Sequence, residues 1–156
     1  MAVTHSSIVL ATLMGMDVTQ SYPEGLDVEP EVEKRCRENA EKYGGKFRIV
    51  HDFDEGLSGA NIVNAKSWGC IKNLPPFSGD QPKFEETEKI YEKARHWTID
   101  DRAMSLTDNG WFTHCLPTDR GYEVTNSVID GPQSAVFREA QNLIHVRKAL
   151  LALTMS

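Results

Sequence analysis

Short apolar runs alternate with helical patterns along this chain, and that alternation restricts its fold more than any other feature. Runs at residues 17–22, 46–51, 60–65 and 111–117 are brief and bounded by Gly, Pro or charged residues, as strands are. Between them the spacing turns helical. Residues 31–43 follow Pro30, set Val32, Cys36 and Ala40 four apart as an inward stripe, and stop at Gly44-Gly45. Residues 83–96 form a charged helix, and 139–154 a closing one with apolar Leu143, Ile144, Leu150 and Leu151. Shorter helices are expected at 52–59, from a cap at Thr98-Ile99-Asp100-Asp101 to Asn109-Gly110, and at 123–129. Residues 134–137 read as a brief strand, and a loop holding Pro75, Pro76, Gly79 and Pro82 follows the third strand. The first helix is expected over 8–14, with Ser6 and Ser7 as caps and Gly15 behind it; being apolar nearly all round, it should be buried.

Strands and helices in this order build a parallel sheet covered on both faces, a three-layer, doubly wound, Rossmann-like α/β fold. The chain starts on a helix, however. In such a sheet the strand before that helix is the central one, and its loss leaves buried backbone groups unpaired at about 1–3 kcal/mol each. The expectation is a sheet without its usual first central strand, in the later part of a longer protein or with the gap filled by something else.

The 156 residues suffice for one domain over 1–156. A net charge of -6 with no long basic run argues against a nucleic-acid partner. No apolar run approaches the roughly 18 residues of a membrane span, and residues 1–5 carry no basic leader region. Cysteines 36, 70 and 115 are odd in number and form no CxxC, which suits a reducing, cytoplasmic setting and neither a disulfide framework nor a metal site. No Gly-rich dinucleotide or phosphate loop is present, so no cofactor is expected.

Chemistry concentrates at strand ends, because ligands of open α/β sheets gather at the carboxyl edge. Trp111-Phe112-Thr113-His114-Cys115-Leu116-Pro117 brings Cys115 and Leu116 to such an edge. His114 and Cys115 are adjacent on a strand and point to opposite faces, which disfavours a Cys-His nucleophile pair. Packing of Cys115 as a small hydrophobe is the plain alternative. Lys66-Ser67-Trp68 ends another strand, where the Lys can hold a carboxylate or phosphate as a point charge; a surface Lys beside a packing Trp is the alternative. Two neighbouring strand ends sharing a cleft favour the functional reading. The other histidines are scattered and show no metal-ligand spacing.

His114-Cys115-Leu116-Pro117, Arg120-Gly121, Glu123-Val124-Thr125, residues 128–132 (VIDGP) and Phe137-Arg138-Glu139-Ala140 together resemble the carboxyl-terminal domain of the aspartate/ornithine carbamoyltransferase family. Residues 65–69 (AKSWG), 15–19 (GMDVT) and the Pro23-Glu24-Gly25 turn are similar to its acetylornithine and succinylornithine transcarbamylase branch. The resemblance implies a two-domain enzyme working as a homo-oligomer, a trimer. A first domain with a Ser-x-Arg-Thr-Arg loop would hold carbamoyl phosphate, and this second one an amino-acid-like amine. It implies Cys115 and the Leu116 carbonyl as catalytic groups beside the reacting carbamoyl carbon, with a cis peptide before Pro117 orienting that carbonyl. Lys66 would pair with the substrate carboxylate, and Ser67, Trp68, His114, Pro117 and Arg120 would complete the cosubstrate site. The chain departs from the pattern twice. Leu143 stands where the family has an Arg that contacts carbamoyl phosphate, and Asp119 where the acetylornithine enzymes have an Arg. A different amine or amide is therefore expected, with no transferase activity from this chain alone. The rival expectation is a non-catalytic ligand-binding or assembly module derived from the family.

Overall fold

The computed structural model describes residues 2–66, 68 and 84–155. The expected loop with Pro75, Pro76, Gly79 and Pro82 lies outside the described residues, as does Ser67. Seven helices and four strands run in the order α1 (Ala2–Leu13), β1 (Val18–Ser21), α2 (Pro30–Tyr43), β2 (Phe47–Val50), α3 (Phe53–Leu57), β3 (Ile62–Asn64), α4 (Phe84–Lys93), α5 (Asp101–Ser105), β4 (Trp111–Thr113), α6 (Asn126–Ile129) and α7 (Val136–Thr154), counted among the described residues. A 3-10 turn at Arg95–Trp97 follows α4. Both strand pairings are parallel: β1 with β2 and β3 with β4, as two two-stranded sheets. The described residues gather into two compact units, one of residues 2–58, 68 and 84–97, the other of 59–66 and 98–155.

Local chemistry sets the boundaries in the first unit. Pro30 occupies the first turn of α2, Glu31 and Glu33 lie at its positive end and Lys42 at its negative end. Gly44 then adopts φ 83° and returns its N–H to the Ala40 carbonyl, which stops the helix. Cys36 and Ala40 are buried on the inward stripe, in a core with Ile8, Tyr22, Val28 and Phe47. Asp52 caps α3 by accepting the Glu55 N–H at 2.8 Å. Gly15 is required where α1 ends: its φ is +72°, and a Cβ there would sit 2.5 Å from the Tyr43 carbonyl oxygen.

α1 departs from expectation. It begins at Ala2, so Ser6 and Ser7 lie inside it rather than capping it. Nor is it buried all round. Ile8 and Thr12 face the core, while Leu10 and Leu13 are 58% and 42% exposed. A uniformly apolar sequence cannot say which side of a helix its unit will cover.

In the second unit Val63, Ile99, Ala103, Met104, Phe112, Val124, Val128, Ile129 and Val136 form the buried apolar set. Asp100 caps α5 through the Ala103 N–H at 2.8 Å. The helix expected over 123–129 begins only at Asn126, because Val124 is bridged to Ile99 and Arg120 and Glu123 closes a turn with its N–H on the Asp119 carbonyl. The strand expected over 134–137 is a single bridge between Ser134 and Phe112. The Ala135 N–H completes it at 2.8 Å to the Phe112 carbonyl, and α7 starts at Val136. So short a run does not distinguish a strand from a first helical turn. Leu143, Ile144, Leu150 and Leu151, the apolar residues noted on that helix, are all exposed.

Candidate functional site

β3 and β4 run side by side in register, Ile62 opposite Trp111, Val63 opposite Phe112 and Asn64 opposite Thr113. Val63 and Phe112 are buried on one face. On the other, the Asn64 amide donates to the Thr113 hydroxyl at 2.9 Å, and that hydroxyl donates to the Val63 carbonyl at 3.3 Å. Two residues beyond each strand come Lys66 and Cys115, both half-buried. One parallel pair thus releases an ammonium group and a free thiol from the same carboxyl edge. Among the described residues no ion pair engages Lys66.

The segment after β4 turns sharply. Leu116 sits at φ 53°, in the left-handed region that residues other than glycine seldom adopt, and the Leu116–Pro117 bond is cis. The Leu116 N–H donates to Nδ1 of His114 at 3.0 Å. His114 is 0% exposed, and its own N–H donates to Glu139 Oε2 at 3.0 Å. An accepting Nδ1 places the ring proton on Nε2. Nε2 lies 3.0 Å from Oε2 of Glu123, off the N–H axis, so the pair is an electrostatic contact more than a straight hydrogen bond. Glu123 is 4% exposed, and its Oε2 also accepts from the Thr118 hydroxyl at 2.6 Å and the Asp119 N–H at 3.2 Å. Burial pushes the Glu123 carboxyl up; His114, Thr118 and the Asp119 amide together outweigh it and hold the group below the usual carboxylate range.

This geometry sorts the residues named from sequence. Cys115, Leu116 and Lys66 belong to the β3–β4 edge. Pro117 is exposed just beyond. His114, expected as a cosubstrate contact, has no exposed surface and works from beneath the turn. Its ring nitrogens face Leu116 and Glu123, so His114 does not serve Cys115 as a base. Arg120 is occupied: Nη1 and Nη2 meet the Asp130 carboxylate at 2.5 and 2.8 Å, and Nη1 also donates to Asn126 Oδ1 at 2.7 Å. The Asp130 partner raises the Arg120 pKa, and Arg120 lowers that of Asp130. Trp68 falls in the other unit, where it meets Tyr91 edge-on at 5.1 Å. Ser67 is not described. Glu123 and Glu139, which anchor the turn, are residues the sequence reading assigned no role; their only signal was membership in the Glu123-Val124-Thr125 and Glu139-Ala140 motifs.

The comparisons agree with this architecture. The family model described as aspartate/ornithine carbamoyltransferase, Asp/Orn binding domain, matches residues 1–154. The chain is 38% identical to an N-acetylornithine carbamoyltransferase of Xanthomonas campestris pv. campestris, covering 97% of this chain and 43% of that protein. It is 34% identical to the anabolic ornithine carbamoyltransferase of Pyrococcus furiosus, covering 98% and 46%. A crystal structure of acetylornithine transcarbamylase complexed with acetylcitrulline superposes with a TM-score of 0.86 at 36% identity, over 96% of this chain and 43% of that one. A mutant N-acetyl-L-ornithine transcarbamylase complexed with carbamyl phosphate and N-succinyl-L-norvaline gives the same score. The chain therefore has the Rossmann-like α/β fold that its alternation predicts, and it spans less than half the length of these relatives. By its sequence, its parallel sheets and the turn that follows β4, this chain belongs to the aspartate/ornithine carbamoyltransferase family, as its amino-acid-binding domain.

Proposed function

We propose that this chain holds the amino-acid-like amine during carbamoyl transfer, with carbamoyl phosphate supplied by a separate first domain. The neutral amine attacks the carbamoyl carbon; a C–N bond forms, the C–O bond to phosphate breaks, the amine loses a proton and phosphate departs. Lys66 pairs with the cosubstrate carboxylate, and Cys115 and the Leu116 carbonyl lie beside the incoming nitrogen. Positioning supplies most of the rate, since a bound amine and a bound carbamoyl group react as one molecule. The whole chain acts as one domain of a cytoplasmic trimer, and by itself it has no transferase activity. Among the described residues no helix is long and apolar enough to cross a membrane.

What supports this reading most is the register of β3 and β4, which carries Lys66 and Cys115 to one edge of one strand pair. Calorimetric titration of the 156-residue chain with N-succinyl-L-norvaline and a panel of ornithine derivatives, ureido acids and diamines tests it. Saturable binding of at least one carboxylate-bearing amine or its analogue is expected; no binding across the panel overturns it. Leu143 favours a second reading, a non-catalytic binding module, because it replaces the Arg the family sets against carbamoyl phosphate. Asp119 points away from acetylornithine as the amine for the same kind of reason, a missing cation.

A further inference from the structure

We infer that Glu123 is a positioning residue: through the imidazole of His114 it holds Leu116 in the left-handed backbone conformation that shapes the turn after β4. Its bearing on catalysis rests on the reading of that turn as ligand-facing. Its geometry does not.

A residue with a Cβ at φ 53° persists only where its surroundings retain it. The retaining contact is the Leu116 N–H on Nδ1 of His114, 3.0 Å away. That contact exists only while Nδ1 keeps its lone pair, with the ring proton on Nε2. A carboxylate 3.0 Å from Nε2 selects this tautomer, because the opposite one would set two lone pairs face to face and leave the Leu116 N–H against another N–H. Off-axis contact weakens the hydrogen bond but leaves that electrostatic choice in place. Glu123 is itself fixed. Oε2 accepts from Thr118 and Asp119, the backbone N–H donates to the Asp119 carbonyl, and the carbonyl accepts from Ile99. Glu139 fixes the His114 backbone from α7.

The competing account is that His114 and Glu123 only fill space. Amide hydrogen exchange in the full chain separates the two. Phe112, whose N–H donates to the Gln133 carbonyl at 2.8 Å, reports the general stability of the same strand. In Glu123→Ala, Leu116 protection is expected to fall roughly tenfold further than that of Phe112, about the worth of one hydrogen bond. Glu123→Gln keeps an oxygen for the same three donors and is expected to retain both. The 15N spectrum of the imidazole should show Nε2 protonated in the parent and in Glu123→Gln, and mixed tautomers in Glu123→Ala. Should Glu123→Ala fail to fold, two His114 variants decide. His114→Asn offers an oxygen where Nδ1 stood and keeps Leu116 protected relative to Phe112; His114→Leu fills the space and does not. Parallel loss at Leu116 and Phe112 in Glu123→Ala, or protection kept by Leu and lost by Asn at position 114, overturns the inference. If the exchange pattern holds while no amine binds, the ligand reading falls and this one stands.

Discussion

Lys66 is half-buried at the end of β3, and nothing among the described residues pairs with it. On the proposed reading, removing its ammonium group costs a carboxylate ligand one charge-assisted contact, a loss of roughly tenfold or more in affinity. Lys66→Ala is expected to bind N-succinyl-L-norvaline that much more weakly and to melt at the parental temperature; an unchanged dissociation constant would remove the residue from the site. Glu123 makes a different prediction. Burial opposes its charge, but its hydrogen bonds prevail, so the folded carboxyl titrates below its unfolded counterpart. Such a group binds fewer protons folded than unfolded. It contributes stability above the unfolded value and loses it as pH falls through the folded one. Urea unfolding of the parent should weaken steeply through the acid range, and less steeply in Glu123→Gln. Equal slopes would mean that the carboxylate contributes nothing.

At the scale of elements, a close approach can be separated from a backbone preference by two glycines. Gly15 and Gly59 both have positive φ, +72° and +70°, but only Gly15 has a carbonyl oxygen in the way. Both alanine variants incur the cost of left-handed backbone, roughly 1–2 kcal/mol. Gly15→Ala must also displace the end of α2, so its chemical denaturation midpoint should fall clearly below that of Gly59→Ala. Similar midpoints would show that the α1–α2 crossing yields easily. The caps test the short helices. α5 has five residues, and Asp100 satisfies its Ala103 N–H. Asp100→Ala is expected to lose about 1 kcal/mol, with exchange at Ala103 rising first.

For the molecule as a whole, the chain spans less than half of its relatives, and the transferase site of such an enzyme needs both substrates. The purified 156-residue chain is expected to bind an amine ligand and to release no phosphate from carbamoyl phosphate plus amine in a colorimetric assay. Measurable turnover would end the two-domain account. Iodoacetamide adds a check on the thiols: burial raises Cys36 and seals it from solvent, whereas Cys115 is half-buried. Cys115 should label ahead of Cys36, and no faster than a model thiol, since the ring nitrogens of the adjacent His114 face Leu116 and Glu123.

Elements with local causes were legible in the residues. Pro30, the 32–36–40 stripe and Gly44 sufficed for α2, and brief apolar runs for the strands, because caps, periodicity and turn chemistry act over a few positions. The parallel class followed from their order. Lys66 and Cys115 were legible as strand-end residues, but their shared edge depends on a ladder joining positions nearly fifty apart. Tertiary structure alone decided which face of α1 is covered, where α7 begins, and that Arg120 is taken by Asp130. It also decided that His114 is buried with Nδ1 on the Leu116 N–H, since burial and side-chain pairing depend on what another segment brings alongside, which no local pattern encodes.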